Sequence, residues 1–460
     1  MLSRTSIDLR AQLAQRIDGA VLEPGTEAFT RELATFNTAI VHQPDFAVGV
    51  ASIRDIQEVI AFSRRHQLGV SVLGGGHSVE SITSGILLST KRLSTVEVDP
   101  AARTATLGAG VRWEAVVDAA ADHDLHPVTG SSPHVGAVGY LLGGGLGPLA
   151  RSHGVSSDYV VSATVVSGTG AIVEAGAGSN PDLLWALRGG KKGLGVVTDM
   201  TVMLAPMASL YGGSLVFDGA HVETVLRGWF NWTKEAHPDV TTSIALLRFP
   251  DLPMLPEPIR GRHVAHLRFA YPGGIEQGAA LADPLRALAP VEADHITQRP
   301  TREIGRIHND PTEPGAVWIR GMLLGDVDEH FATVLLDHVG AGRETPFNLV
   351  EIRHLGSAVR RDVAEGSAFN GREATFALSV GALNPATFNR VSPEASRRLH
   401  DALEPWRFPE NSINFLGTAF SDEDLERAWS PETRTRLDHI RQQLDPDGIF
   451  ANVNHAAMAV

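Results

Sequence analysis

The chain has 460 residues, 43 % apolar and 20 % charged, with a formal net charge of −14 and no cysteine. That length exceeds one ordinary core and predicts two or three domains, and no apolar run reaches the ~18 residues needed to span a bilayer. The charge disfavours nucleic-acid and anionic-membrane partners, while the missing thiols exclude disulfides, cysteine zinc sites and thiol nucleophiles.

In chain order, the start lacks the apolar core of a signal peptide. Ser6 reads as an N-cap, Leu9, Leu13 and Ile17 recur every fourth residue, and Gly19 stops the pattern. A structural helix and a cytoplasmic location are therefore expected. Residues 38–207 alternate strands and helices. Ser52 caps a helix with Ile53, Ile56, Val59 and Ile60 on one face, ended by Gly69. Residues 70–73 form a short buried-type strand that runs into Gly74-Gly75-Gly76-His77-Ser78. Residues 96–98 and 104–107 predict a hairpin around Asp99-Pro100, and Trp113, Val116 and Val117 begin another helix. A glycine-rich stretch spans 130–147, followed by a strand over 159–166 and a helix over 182–187 that ends at Arg188-Gly189-Gly190.

From about residue 208 the texture changes. Strands over 242–249, 264–270, 316–321, 349–353 and 374–378 alternate with helices near 220–236, 274–289 and 326–339. This predicts a second α+β domain on a largely antiparallel sheet. Ser430-Pro431-Glu432 opens a capped helix with Leu437, Ile440 and Leu444 on one side.

Gly74-Gly75-Gly76 and Gly143-Gly144-Gly145-Leu146-Gly147 suit an anion cradle, because bare backbone lets N–H groups close on a phosphate. Neither is a dinucleotide-binding fingerprint, since Val79 and Pro148 stand where the third glycine belongs. Gly190-Lys191-Lys192 lacks the hydroxyl residue of a P-loop. His77, taken alone, reads equally as a surface-loop histidine. The chain has no G-x-S-x-G elbow, H-E-x-x-H pair or calcium loop, so hydrolase and metalloprotease readings find no support and no metal is expected.

The runs Gln43-Pro44-Asp45, Val72-Leu73-Gly74-Gly75-Gly76-His77-Ser78 and Gly130-Ser131-Ser132-Pro133-His134-Val135-Gly136-Ala137-Val138-Gly139-Tyr140 resemble the vanillyl-alcohol-oxidase (PCMH) type of FAD domain. So do Asn180-Pro181-Asp182-Leu183-Leu184-Trp185-Ala186-Leu187-Arg188-Gly189-Gly190 and Leu194-Gly195-Val196-Val197-Thr198. Asp445-Pro446-Asp447-Gly448-Ile449-Phe450-Ala451-Asn452-Val453-Asn454 is similar to the closing segment of the berberine-bridge-enzyme-like branch. Residues 208–430 match weakly, mainly around 351–356 and 414–415.

The resemblance implies an α+β fold: a two-subdomain FAD-binding domain over 1–207 (core 38–207), a substrate domain over 208–429, and a segment 430–460 that returns to the first domain. It implies that His77 bonds the flavin 8α-methyl, while the backbone of Leu73, Gly74, Gly75, Gly76 and Ser78 holds the pyrophosphate. Val135, Gly136, Val138, Gly139, Gly143, Gly144 and Gly145 would approach ribityl and ring, Val197 the adenine side, and Asn452 or Asn454 the ring. Many members of the branch carry a second, cysteinyl tether where this chain has Ser132, so a single tether is implied. Within the family that goes with a more enclosed site and a smaller, secondary-metabolite-like substrate.

The implied activity is hydride transfer from a C–H of a small alcohol, amine or sugar to flavin N5, with O₂ reoxidising the flavin to give H₂O₂. The partners are a small-molecule substrate and O₂, and the chain a monomer or homodimer. A dehydrogenase with another acceptor and a non-catalytic flavin binder are the alternatives. Relatives often carry tyrosine where Phe415 stands, so the catalytic group is sought in Glu351 or Glu410, near Asn414. Strand alternation places Glu410, Ser412 and Asn414 on one face, and Glu351 with Arg353 on one face of another strand. Glu351 and Arg353 equally read as an ion pair on a sheet surface. A buried glutamate base should have its pKa raised toward neutrality, with His354 and Tyr140 as reserves.

Overall fold

The computed structural model describes residues 4–77, 81–253, 257–451 and 455–456, so Ser78, Asn452 and Asn454 lie outside it. The first helix spans Arg4–Ala14. It begins before Ser6, which is therefore no cap, and stops well short of Gly19. The N–H of Gly19 instead donates to Asp55 (3.0 Å), whose buried carboxylate also accepts from Asp18 and Ala51.

A four-stranded sheet follows in the order Ala20–Leu22, Phe46–Gly49, Ile86–Ser89, Val70–Leu73, with the last three strands parallel. Its two faces read directly from period-2 alternation. Val48, Val70, Ile86 and Leu88 pack on Ile56, Val59 and Ile60 of the helix Ile53–His66, while Ala47, Leu73 and Leu87 pack on Phe29 and Leu33. Ser52 caps that helix as expected, accepting from Asp55 N at 3.2 Å. Gln67, at φ 54°, closes it rather than Gly69.

A five-stranded antiparallel sheet comes next, ordered Ile172–Gly176, Val160–Val166, Val196–Met203, Thr104–Gly108, Val96–Asp99. The helix Trp113–Ala121 buries Trp113, Val116 and Val117. The helix Pro431–Leu444, capped by Ser430 (3.2 Å from Thr433 N), lays Leu437 and Ile440 into the same core.

The second half is built on an eight-stranded antiparallel sheet. From Ser209–Asp218 the order runs His263–Tyr271, Thr241–Arg248, Leu349–His354, Phe376–Ala382 and, at the edge, Trp318–Leu324. One face is apolar: Leu215, Leu267, Ile244, Ile352, Leu378 and Met322 form a single core with the helices Val222–Thr233, Ile275–Arg286, Glu329–Val339 and Val391–Leu403. The alternating residues look the other way, toward the glycine-rich loops. There Leu146 and Ala150 pack with Leu323, Leu355 and Ala377. Trp318–Leu324 and Phe376–Ala382 begin later than expected, because their mutual register (Trp318↔Ala382, Leu324↔Phe376) sets both ends together.

Candidate active site

Strand Val70–Leu73 delivers the Gly74–His77 loop to the space between the two halves. Leu73 O accepts from Thr90 N (3.0 Å) and Gly76 O from Phe36 N (3.2 Å). Gly76 turns the chain at φ +65°. A Cβ on Gly75 would lie 2.7 Å from Gly136 N, and one on Gly136 only 2.9 Å from Gly75 N, so the loops meet backbone to backbone. Among the described residues the amides of Gly75, Gly76 and His77 donate to no protein acceptor. That is the property an anion cradle needs. The His77 ring packs 5.0 Å from the Phe36 ring. Burial lowers its pKa; Asp310 opposes the shift while Arg112 and Lys191 reinforce it. The imidazole is therefore neutral at pH 7.

The second glycine run crosses the floor. Gly144 (φ +93°) lies under the Phe369 ring, Gly145 (φ +95°) under Tyr140, and Gly143 against the Asn414 amide. Lys191 Nζ donates to Gly139 O (2.8 Å) and Asn414 Oδ1 (2.7 Å), and Asn414 Nδ2 donates to Tyr140 O (2.8 Å). Burial, reinforced by Lys192, pulls the Lys191 pKa down to about 8. Asn414 sits in the 3₁₀ turn Ile413–Phe415, not in a strand. The expected alternation of Glu410, Ser412 and Asn414 thus fails, because a turn rotates successive side chains by about a third of a circle. Glu410 caps the Gly371 amide instead (2.9 Å).

The roof is the polar face of the large sheet. Ser214, Arg268, Ser243 and Arg353 stand in register across four strands. Glu351 is two residues from Arg353 on the same face and 7 % exposed. It binds Arg268 Nη1 (2.9 Å) and both Nε and Nη2 of Arg353 (3.1 and 3.0 Å), and Ser243 Oγ lies 3.3 Å away. Burial alone would raise its pKa, but the two guanidinium groups outweigh burial and hold it well below the usual carboxylate range. The expectation of a shift toward neutrality is thus overturned. The ion pair Glu351–Arg353 exists, though buried rather than on a surface. Arg353 also donates to Leu146 O (3.1 Å), and its guanidinium lies 5.4 Å from the centre of the Phe415 ring.

Neither reserve candidate titrates near neutrality. Burial pushes Tyr140 up to about 12. His354 is buried on the apolar face against Phe376, bonded to Arg151 (3.1 Å), and pushed down to about 2 by burial and that arginine.

The remaining expected residues are dispersed around this cleft. Val138 is buried, Gly139 has open space where a Cβ would go, and Ser132 is buried with its carbonyl facing Val135 N (3.4 Å). Val197 is paired to Val165 beside a bulge at Thr198, in the five-stranded sheet. Residues not singled out from sequence also line the site: Arg268, His308, Ser131 and Asp310, the last two bonded at 2.7 Å. Arg268 was findable. His266 and Arg268 repeat, two apart in a buried strand, the polar spacing of Glu351 and Arg353.

Residues 44–176 match the family described as the FAD binding domain. The chain is 25 % identical over 459 residues to (R)-6-hydroxynicotine oxidase of Paenarthrobacter nicotinovorans, covering 94 % of this chain and 95 % of that one. Its fold matches the BBE-like 1 protein of Physcomitrella patens (TM-score 0.82, 19 % identity, 98 % and 99 % of the chains). It also matches glucooligosaccharide oxidase of Acremonium strictum, whose FAD is described as 6-S-cysteinyl, 8α-N1-histidyl (TM-score 0.81, 18 % identity, 98 % and 99 %). Fold and cradle together define a flavoprotein with a PCMH-type FAD domain. Residues 44–176 are thus an FAD binding domain, and along nearly its whole length the chain is similar to FAD-linked oxidoreductases and shares the fold of a berberine-bridge-like protein.

Proposed function

We propose that this protein is an oxidase whose FAD is bonded to His77 alone and which oxidises a small, secondary-metabolite-like molecule. On this reading residues 1–207 and 430–460 form the FAD domain and 208–429 the substrate domain. The observation that carries it is His77 placed directly after the Gly75–Gly136 backbone contact, with the Gly75, Gly76 and His77 amides unused by the described residues, in a chain without cysteine. When bound, FAD would supply a hydride acceptor and the route by which the electron pair reaches O₂ as H₂O₂. The residues do the rest. The free amides of Gly75, Gly76 and His77 suit the pyrophosphate, while Gly143–Gly145 let Asn414, Phe369 and Tyr140 pack directly on the backbone of the floor. Glu351 orients Arg268 and Arg353 on the sheet face above that floor. Held so far below neutrality it has little proton affinity at pH 7, so its role is to anchor the cations rather than to act as a tuned base.

Acid-precipitated protein should stay yellow, and the tryptic peptide spanning His77 should carry the flavin mass. If acid releases all flavin from the wild-type protein, the tether is wrong. Val135, half-buried with its carbonyl accepting from Trp113 N (3.1 Å), stands three residues after Ser132. We assign it as the gate to oxygen. Photoreduced wild type should reoxidise quickly in air and Val135→Ile much more slowly; equal, slow reoxidation of both would point to a non-oxygen acceptor.

A further inference from the structure

An open pocket of about 550 Å³ lies at the strand ends of the large sheet, where the helix Val222–Thr233 ends and the chain turns at Gly356. Phe230, Val327 and Phe376 give it apolar walls, and Arg151, Lys234 and Arg360 line it with charge. Phe230 and Phe376 belong to the helix-covered core, so the pocket opens on the other side of the sheet from Glu351 and Arg353. Its volume suits a small organic molecule rather than a lone ion. Gly356 brings two guanidinium groups together. It turns at φ +85°, and the place of its missing Cβ lies 3.4 Å from Arg151 Nη1 and 3.8 Å from Arg360 Nε. Like charges gathered at one point repel unless an opposite charge stands between them. Arg151 spends Nε and Nη1 on the carbonyls of Val240 and Leu355, but Nη2 meets only His237 O, at 3.5 Å. The side chains of Arg360 and Lys234 make no hydrogen bond among the described residues. Nearby acids match these cations in number but not in place. Glu373 stops 3.6 Å from Arg360, with side chains 68 % and 49 % exposed, a pairing that water weakens. Asp239 favours the Arg151 charge through no ion pair among the described residues, and neither acid lines the pocket. Asp326 does line it, and is held by Thr375 Oγ1 (2.6 Å).

We propose that this pocket is a second ligand site, which binds a small organic anion distinct from the molecule that is oxidised. Its carboxylate or phosphate head sits between Arg151 and Arg360, and its flat apolar body lies against Phe230 and Phe376. Lys234, just past the end of Val222–Thr233, adds a third cation at the rim. The inference stands apart from the reading of the flavin side and holds whichever substrate is oxidised there.

The test titrates flavin-loaded protein by calorimetry with 2-naphthoate, 2-naphthyl phosphate and the uncharged 2-naphthamide, recording the flavin absorbance alongside. One of the two anions should bind about ten-fold tighter than the amide or better, and the tighter one names the head group. Arg360→Met should weaken that anion about ten-fold and leave the amide unchanged, with Arg360→Lys intermediate. Glu373→Gln frees Arg360 from its acid and should move the anion the other way, toward tighter binding. Both positions are exposed, so these variants keep the fold. Ala236→Trp, which fills the pocket from its wall, should weaken all three probes. No anion binding up to ~1 mM, or equal affinity for anion and amide, would overturn the proposal. So would anion binding that ignores Arg360→Met; if it also perturbs the flavin spectrum, the anion has gone to the flavin side instead.

Discussion

Glu351 is the residue whose environment departs furthest from what its neighbours in sequence suggest. Its segment Leu349–His354 is legible as a strand, and the i, i+2 spacing with Arg353 puts the two on one face. The third partner is not legible: Arg268 lies 83 residues away on another strand and reaches Glu351 only through sheet register. That partner reverses the sign of the pKa shift. The unfolded glutamate titrates near ~4.3, and the folded one lies well below its ordinary value. The unfolded chain thus binds the proton more strongly, so Glu351 contributes stability fully above ~4.3, lost as pH falls through the folded value. Two consequences follow between pH 5 and 8. The anaerobic flavin-reduction rate should show no ionisation belonging to Glu351. Glu351→Gln should cost roughly 3–5 kcal/mol at pH 7, since it leaves two guanidinium groups without a counter-charge. Urea unfolding at pH 7 and pH 3 checks the second point, and the gap should narrow at the lower pH. A rate that climbs between pH 5 and 7 in wild type but not in the variant would refute the assignment.

Elements whose burial follows the apolar period were readable: the helix Ile53–His66, the hairpin Val96–Asp99/Thr104–Gly108 and the capped helix Pro431–Leu444. Two were hidden for physical reasons. Ser209–Asp218 contains Gly212-Gly213, which looks like a break; Gly213 is there because a Cβ would lie 2.0 Å from His295 O. Val391–Leu403 buries Ser392, Ser396 and His400 beside Leu399 and Leu403, so its inner face carries no apolar stripe. Of the candidate site, the loops were legible because glycine clusters mark close backbone approach, whereas the sheet roof needed register. The loops support a paired test. Gly136→Ala places a methyl against Gly75 backbone, which cannot yield, and should lower the flavin-to-protein absorbance ratio several-fold. Gly178→Ala, in the turn after the strand Ile172–Gly176 and remote from the cradle, meets nothing within 4 Å and should keep its flavin. Equal flavin content in the two variants would argue against the cradle.

At the scale of the whole molecule, the buried Arg151 ties the halves together, beside the Arg353–Leu146 and Lys191–Asn414 bonds. Arg151, on the short helix Ala150–His153, donates through Nε to Val240 O (2.8 Å) and through Nη1 to Leu355 O, and its own N–H donates to Thr241 (3.1 Å). It therefore grips two strand ends of the large sheet from the glycine-loop side. Arg151→Met should cost on the order of 3 kcal/mol, the loss of charged hydrogen bonds in a buried site. It should also split a single calorimetric unfolding transition into two; one unchanged transition would show that the halves are coupled elsewhere. A second long-range tie runs through time as well as space. His455–Ala456 pairs with Ser81–Ile82, directly after the loop that presents His77, and Ile449 O accepts from Val70 N (2.8 Å). A ribosome makes the histidine early and the strand that backs its loop very late. On the proposed His77 tether, cofactor attachment waits until synthesis is almost over, and a nascent chain stalled before residue 449 should emerge colourless however much FAD surrounds it.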